Sequence, residues 1–208
     1  RHANTWVVKF LACCAAYEAT GDEYYKQIAI NAYEMIMTRV YAFGGTSCWE
    51  HWQYSDILVA DMESAETCVT YNMLKYADYL YRWTGDKKYV DYYDRAFTNH
   101  ILTSMTPESG LKTYLVNSEF GYYKIYLSPE NRFECCCSTG QESFAKLSQG
   151  IYYTAQDKVI VNMFYPSEIT TPDGIKLVQS GNFFTDQKTL LTVGSAGEFT
   201  VSIRIPDY

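Results

Sequence analysis

A nine-residue pattern occurs twice in the first hundred residues, and it constrains the fold more than any other feature of the sequence. Both copies read Tyr-x-x-Thr-Gly-Asp-x-x-Tyr, and they begin 64 residues apart, at Tyr17 and Tyr81. In each copy an apolar-periodic segment runs into a glycine, the usual left-handed cap at the end of a helix. The aspartate that follows is a preferred N-cap of the next helix. The repeat therefore predicts two helical hairpins.

The repeat also sets the predicted organisation of the first hundred residues. We expect four helices, at roughly 4–19, 23–40, 67–84 and 87–104. Helical hairpins that recur in this way are typical of a toroid or solenoid of paired helices. The remaining segments are predicted as an aromatic loop over 41–63, a second excursion over 106–134 with a short hairpin around 112–116 and 122–127, and a helix over 141–153.

The apolar periodicity changes from helical to alternating after Lys158. Alternating apolar residues between Gly, Pro and Asp turns indicate strands, and these are predicted over 159–164, 175–179, 189–193 and 198–205. Strands without intervening helices are typical of the start of a β-sandwich. We therefore predict a mainly α protein in two parts, a helical domain over 1–155 and an incomplete β-sandwich segment over 156–208.

Charge and hydropathy exclude several classes of partner. The net charge is −7 and the basic residues form no cluster, which argues against nucleic acid and anionic membranes. No run of about 18 apolar residues occurs, so no membrane span is predicted. Aromatic residues make up 17% of the chain, a content that suits carbohydrate binding and equally suits a packed helical core. A neutral ligand such as a carbohydrate fits best, and the β-sandwich segment is a candidate surface for homo-oligomers.

Cysteine usage indicates free thiols. The seven cysteines are an odd number, and five of them lie in adjacent runs at 13–14 and 135–137. Adjacent cysteines do not readily form local disulfides, so free thiols or metal ligands are favoured. This predicts a reducing compartment, which we take to be the cytoplasm. Because the chain begins at Arg1 without an initiator methionine, we expect a longer protein whose N-terminus, with any targeting signal, precedes it.

The strongest local signal is the run Cys135–Cys137, which follows Glu134 and precedes a predicted helix. The amides and dipole at a helix N-terminus stabilise a thiolate, so this position is expected to lower the thiol pKa. That environment suits a nucleophile or a metal ligand. The alternative is that these cysteines are inert, because free cysteine is among the most buried residue types.

A second signal is Glu66-x-Cys68. Residues two apart on a helix point to nearly opposite faces, so both side chains can bind one ion only if the helix begins after Glu66. Zinc accepts cysteine sulfur and carboxylate oxygen in four-coordinate geometry, and Cys136 with one further sulfur would complete the set. The alternative is a dipole-favoured acid at the helix start and a core cysteine.

The third candidate is Glu50, in the aromatic loop sequence Cys48-Trp49-Glu50-His51-Trp52. Flanking rings that desolvate a carboxyl raise its pKa and keep it protonated, as a general acid requires. The alternative is an ordinary surface glutamate. We interpret His51 and His100 as structural residues, whereas His2, at the start of the first helix, is placed to face a cavity.

Several motifs in a fixed order resemble glycoside hydrolase family 127, the β-L-arabinofuranosidase-like enzymes of bacteria. They are His2-Ala3-Asn4-Thr5, Gly44-Gly45-Thr46-Ser47-x-x-Glu50-His51-Trp52, Glu66-x-Cys68-x-x-Tyr71-Asn72-Met73-Leu74, Phe133-x-Cys135-Cys136-x-x-x-Gly140-x-Glu142, Val161-Asn162-Met163-Phe164-x-Pro166-Ser167-Glu168 and Arg204-Ile205-Pro206. The resemblance covers nearly the whole chain, and motifs in a conserved order are far more specific than any one of them.

The resemblance implies a fold and a set of site residues. Members of this family have an (α/α)6 catalytic barrel followed by β-sandwich domains, so the chain would hold the C-terminal half of the barrel and the first strands of a sandwich. The resemblance implies a Zn²⁺ ion held by Glu66, Cys68, Cys135 and Cys136. It makes Cys135 the nucleophile and Glu50 the acid/base. His2 and Tyr114 would contact the sugar.

The implied activity is a zinc-dependent retaining exo-glycosidase that releases terminal β-L-arabinofuranose or a similar sugar from plant-type glycans. Cys137 and the bulky Cys48-Trp49 before the acid depart from the family pattern and are expected to reshape the sugar subsite. Two alternatives stay open: a non-catalytic carbohydrate-binding or structural zinc protein, and a metal-free (α/α)6 enzyme such as an unsaturated-uronide hydrolase that uses carboxylates alone.

Overall fold

The computed structural model describes residues 1–52, 61, 63–117, 119–128, 130 and 132–207. It divides the chain into two compact units, Arg1–Ala145 and Lys146–Tyr208. Each unit has its own hydrophobic core. Among the described residues, no helix is both long enough and apolar enough to cross a bilayer.

The two predicted helical hairpins are confirmed in the first unit. They consist of α1 (Ala3–Thr20) with α2 (Glu23–Met37), and α3 (Thr67–Thr84) with α4 (Lys87–Ala96). The repeated motif forms the predicted caps at both turns. Gly21 and Gly85 are left-handed, with φ of 69° and 68°, and each N–H donates to the tyrosine carbonyl four residues earlier at 2.8 Å. The carboxylates of Asp22 and Asp86 accept from backbone amides of the next helix at 2.9 and 3.0 Å.

Tyrosines fill the space between the two hairpins. The ring of Tyr33 packs edge-to-face on Tyr76, Tyr89 and Tyr92, with centroids 5.0 to 6.0 Å apart, and all four side chains are fully buried. Such arrangements bring the positive edge of one ring to the negative face of another. Part of the aromatic content therefore serves the core of the helical unit.

The end of the second hairpin differs from the prediction of one helix over 87–104. The α-helix stops at Ala96, and the chain continues as a π-helical turn over Phe97–Ile101 and a 3₁₀ turn over Leu102–Ser104. The wider turn lets the ring of His100 reach Thr70 Oγ1 at 2.7 Å and the Ala65 carbonyl at 3.1 Å. Since a carbonyl only accepts, the Nε2–H donates to Ala65 and Nδ1 accepts from Thr70. Burial lowers the pKa of His100 to about 3, so the ring is a neutral structural group.

The predicted helix over 141–153 is placed wrongly. The helix, α5, covers Cys135–Ala145 and so begins with the cysteine run, and the chain after it forms a strand, β1 (Tyr152–Ala155), within the segment predicted as helical. The pairing of β1 with its neighbouring strand, a contact that local periodicity does not encode, sets the conformation there. The hairpin predicted around 112–116 and 122–127 is reduced to an isolated bridge between Thr113 and Tyr126.

The second unit contains two three-stranded sheets. Its strands are β1, β2 (Lys158–Val161), β3 (Ser167–Thr170), β4 (Lys176–Ser180), β5 (Leu190–Val193) and β6 (Thr200–Ile203). One sheet has the order β1-β2-β6, in which β2 and β6 are parallel, and the other is the antiparallel sheet β3-β4-β5. Val159 and Val161 pack with Ile175 and Leu177 in one core. The four predicted strands are confirmed with shifted ends, whereas β3 and the short helix α6 (Phe183–Asp186) were not predicted.

Gly44→Ala is expected to lower the free energy of unfolding by at least about 3 kcal/mol. Gly44 has a φ of 100°, and a Cβ there would lie 2.5 Å from the Cα of Ala96 in α4, so strain and overlap act together. Urea unfolding measures the loss. Gly21→Ala is the matched control, because Gly21 is also left-handed but has no atom within 4 Å of an added Cβ, so only about 1 kcal/mol should be lost. Equal losses in the two variants would contradict the expectation.

Candidate active site

Glu50 lies at the tip of a two-residue hairpin turn. Cys48 and His51 exchange both backbone hydrogen bonds, at 2.9 and 3.0 Å, and the residues between them are Trp49 and Glu50. Both central residues have positive φ, 51° and 60°. This is the sign pattern of a type I′ turn, which asparagine and glycine normally occupy. Such conformations are disfavoured for bulky side chains and tend to occur at functional sites.

The start of the chain holds this turn in place. The Ala3 amide donates to the Glu50 carbonyl at 2.8 Å, and the Trp52 amide donates to the Arg1 carbonyl at 2.9 Å. The pairing brings His2 Nε2 within 3.6 Å of Glu50 Oε2, with both side chains about 40% exposed. Two of the site residues predicted from sequence, 48 positions apart, therefore meet.

Backbone pairings outside regular strands connect the remaining site segments. Ser64 pairs with Cys48, and Glu66 pairs with Leu115, so the segment before α3 lies between the Glu50 turn and the segment of Tyr114. The Tyr114 hydroxyl donates to Glu50 Oε1. Burial raises the pKa of Tyr114 well above its usual value, and the bond to Glu50 adds to this shift, so Tyr114 remains a proton donor.

Glu66, Cys68, Cys135 and Cys136 form one cluster at two helix N-termini. Glu66 is the extended N-cap residue of α3, as predicted, and Cys68 lies in the first turn, while the other two cysteines begin α5. Cys68 Sγ lies 3.1 Å from Cys136 Sγ and 3.4 Å from Cys135 Sγ, and Cys135 Sγ lies 4.0 Å from Glu66 Oε1. One ligand atom from each of the four residues lies within 4.8 Å of all the others. All seven cysteines of the chain are free thiols.

The donor set fits a bound cation. Glu66 is 1% exposed, and its Oε2 has no hydrogen-bond partner in the described part of the chain, an unusual and costly state for a buried carboxylate. Three sulfurs and one carboxylate oxygen at these distances are the ligand types that zinc takes in tetrahedral sites. The cluster can therefore hold a metal ion.

The electrostatics of the cluster correct one expectation from the sequence. Burial raises the pKa of Glu66 to about 7, with a further contribution from the Glu50 charge. The hydrogen bond with Cys136, followed by burial, raises the pKa of Cys135, although a helix N-terminus was expected to lower it. The neighbouring Cys136 thiol and partial burial thus act against the lowering of the thiol pKa that was expected from the helix N-terminus. These residues would show the opposite balance with a cation bound, because a thiol that coordinates a metal is deprotonated.

Glu50, Tyr114 and Cys135 open onto one cavity of about 640 Å³. Further residues line it, including Glu63, Tyr122, Tyr123, Ile125, Arg132 and Glu134. The carboxyl group and the exposed thiol of the cluster thus face the same space, which has the size of a small-molecule site. Cys137 is not part of this ligand set, and its side chain packs against the apolar cluster of Cys68, Leu127 and Cys136.

Two features of the site were missed from the sequence. Thr139 Oγ1 lies 3.1 Å from Cys68 Sγ. Thr139 follows Cys135 by four residues on the same helix, and this spacing could have indicated that the two side chains share a face. Arg132 pairs with Glu134 at the cavity, its Nε donating at 2.7 Å. The only sequence feature that could have indicated this pair is the presence of opposite charges two residues apart.

Comparisons with solved structures place the fold among glycoside hydrolases of family GH127. The chain matches a GH127 β-L-arabinofuranosidase from Geobacillus stearothermophilus T6 with a TM-score of 0.77 and 23% identity over 99% of its length and 35% of that chain. It matches the GH127 β-arabinofuranosidase BT3674 with a TM-score of 0.84 and 22% identity over 99% of its length and 33% of that chain. It matches a third structure, described as a glycoside hydrolase, with a TM-score of 0.81 and 17% identity over 100% of its length and 40% of that chain.

The family of this chain is established by comparing its sequence with a family model. Residues 1–149 match the model of the β-L-arabinofuranosidase GH127 catalytic domain, and the chain therefore belongs to this family, as its motifs suggested. It spans about a third of the length of the two GH127 structures. A search of curated protein sequences finds no significant match.

Proposed function

We propose that the protein is a zinc-dependent retaining exo-glycosidase that releases terminal β-L-arabinofuranose, or a closely similar sugar, from plant-type glycans. The observation that carries this proposal is the shared cavity, onto which a carboxyl at Glu50 and a clustered thiol at Cys135 both open. A nucleophile and a separate proton donor facing one space are what a double-displacement glycosidase requires. Membership in the GH127 family supports the same reaction.

Each residue of the site has a role in this proposal. Glu66, Cys68, Cys135 and Cys136 would hold the zinc ion, which when bound keeps the Cys135 sulfur as a thiolate near neutral pH. Glu50 is the acid/base, and the Tyr114 hydroxyl orients its carboxyl group. His2, which lies beside the other carboxylate oxygen of Glu50, would contact the sugar.

The proposed reaction has two displacements. In the first, the Cys135 thiolate forms a bond to the anomeric carbon while the bond to the leaving oxygen breaks and Glu50 gives that oxygen its proton. In the second, Glu50 takes a proton from water, the water oxygen bonds to the anomeric carbon, and the carbon–sulfur bond breaks to return the thiolate. Two inversions at one carbon retain its configuration.

We also propose a setting for this chemistry. The helical hairpins would form part of an (α/α)6 barrel over 1–155, followed by a β-sandwich segment over 156–208. Reduced thiols are required for the nucleophile, so a reducing compartment such as the cytoplasm suits the enzyme. The GH127 fold and the local hairpin pairs support the barrel assignment.

Metal analysis combined with hydrolysis of an aryl β-L-arabinofuranoside tests this proposal. We expect about one zinc ion per chain, release of the aryl alcohol, loss of activity on chelation and recovery with added zinc. Stoichiometric zinc without hydrolysis, together with unfolding on chelation, would instead indicate a structural zinc site in a non-catalytic protein. Activity without zinc that resists thiol-blocking reagents would indicate a carboxylate-only glycosidase.

A further inference from the structure

Lys112 is a buried lysine that the proposed reaction does not use. Its side chain is 6% exposed, and no carboxylate in the described residues lies within ion-pair distance of its Nζ. The ammonium donates to Ser104 Oγ, approaches the Ile101 carbonyl at 3.5 Å and lies 4.4 Å from the centre of the Phe144 ring. Burial lowers the pKa of Lys112 to about 8, which reflects the cost of placing an unpaired cation here.

The side chain of Lys112 runs along the face of α5 that carries a proposed zinc ligand. Cys136, Gly140 and Phe144 follow one another at intervals of four residues, so they share one side of this helix. The stem of Lys112 covers Gly140 so closely that a Cβ there would lie 2.7 Å from Cε. Lys112 therefore lies against the same stripe of the helix that presents Cys136 to the cluster.

The charge that the site would carry with a metal bound favours a nearby cation. Three thiolates and one carboxylate around a divalent ion leave a net charge of minus two in a largely buried region. Opposite charges attract strongly at low polarity, so a nearby ammonium offsets part of this excess. Cys136 lies on the same side of α5 as Gly140, which the Lys112 stem covers, so a thiolate at Cys136 would place one of these negative charges on the lysine's side of the helix.

The backbone of Lys112 is anchored on both sides. Its carbonyl accepts from the Leu127 amide at 2.7 Å, and the next amide, of Thr113, donates to the Ser104 carbonyl at 2.8 Å. The lysine thus connects the 3₁₀ turn after the second hairpin to the helix of the cysteines. A fixed stem with a directed ammonium can position α5 and its charge together.

We propose that Lys112 is a positioning residue that holds α5 against the end of the second hairpin and offsets the negative charge of the metal-loaded thiolate cluster. This inference rests on the proposed zinc site. Lys112 acts through Cys136 and α5 and touches no substrate.

Zinc affinity of the full chain, measured by chelator competition, tests the inference. Lys112→Met keeps most of the stem and removes the charge, and we expect it to weaken zinc binding by about 10- to 100-fold, the usual effect of losing an outer partner of a metal ligand. The Co²⁺-loaded protein should also show shifted sulfur-to-cobalt absorption bands. A purely structural lysine would lower the melting temperature without moving these bands.

Lys124→Met is the matched control. Lys124 Nζ donates to the Thr103 carbonyl on the same turn, but its side chain is partly exposed to solvent, so zinc affinity should stay within about two-fold. If Lys112→Met does not fold, Ser104→Ala replaces it, because this change removes one of the two hydrogen-bond acceptors of the ammonium and should still weaken zinc binding several-fold. If the folded variant binds zinc as tightly as the wild type and its cobalt bands are unshifted, the inference is overturned and the proposed function is not affected. Absence of zinc from the wild type overturns the proposed function, and the inference with it.

Discussion

Cys135→Ser is expected to lower kcat on an aryl β-L-arabinofuranoside by at least about 1,000-fold. A serine hydroxyl has a far higher pKa than a thiol and is a much weaker nucleophile, so the first displacement fails although the side chain is nearly isosteric. Steady-state kinetics measures the loss, and circular dichroism checks that the fold is kept. Mass spectrometry of the wild type, quenched during turnover of a slow substrate, should find a glycosyl adduct on the peptide that contains Cys135.

Two other cysteines provide matched controls for this variant. Cys13→Ser alters a thiol on α1 outside the metal-binding set, and Cys137→Ser alters the first turn of α5 without removing a predicted ligand. Both should keep kcat within a few-fold. Because Cys135 is also a proposed ligand, zinc content is measured in every variant, so that loss of metal is separated from loss of the nucleophile. Full activity in Cys135→Ser would rule out the proposed mechanism.

Glu50→Gln is expected to lower kcat/KM by about 100- to 10,000-fold for substrates with an alcohol or sugar leaving group. Glutamine cannot donate the proton that such a leaving group needs. Nitrophenolates leave without protonation, so a dinitrophenyl glycoside should restore much of the first displacement. The dependence of the rate on the leaving-group pKa measures this difference directly.

Glu63→Gln is the matched control for the acid. Glu63 lines the same cavity as Glu50 but has no assigned proton-transfer role, so its substitution should change kcat/KM about equally, and only slightly, for both leaving groups. A uniform loss across leaving groups in Glu50→Gln would assign Glu50 to substrate binding instead of proton transfer.

The parts of the fold that local chemistry determines could be predicted from the sequence. The Gly-Asp pairs at 21–22 and 85–86 set the turns of both hairpins, because a left-handed cap and an N-cap are encoded within a few residues. The start of α5 was missed, since three consecutive cysteines carry little helix propensity and tertiary packing decides their conformation. The π-helical turn at Phe97–Ile101 likewise depends on the contacts of His100 with α3 and the segment before it.

The candidate site residues could be named from sequence motifs, but their mutual placement could not be predicted. Placing Glu66 just before α3 followed from the requirement that it share an ion with Cys68. The contact of Tyr114 with Glu50, however, depends on backbone pairings between segments more than 40 residues apart in sequence, such as Glu66 with Leu115. The burial of Lys112 could not be predicted from the sequence, because a lone lysine in a polar segment is normally exposed to solvent.

The turn at Trp49-Glu50 sets a limit on how this protein can be engineered. Both residues adopt a backbone conformation that Asn-Gly would occupy with less strain, so exchanging them for that pair is a ready route to a more heat-tolerant chain. The same exchange deletes the carboxyl at position 50. Selection for thermal tolerance alone could therefore keep the turn and remove the proposed acid/base, so libraries built for stability should hold these two codons constant.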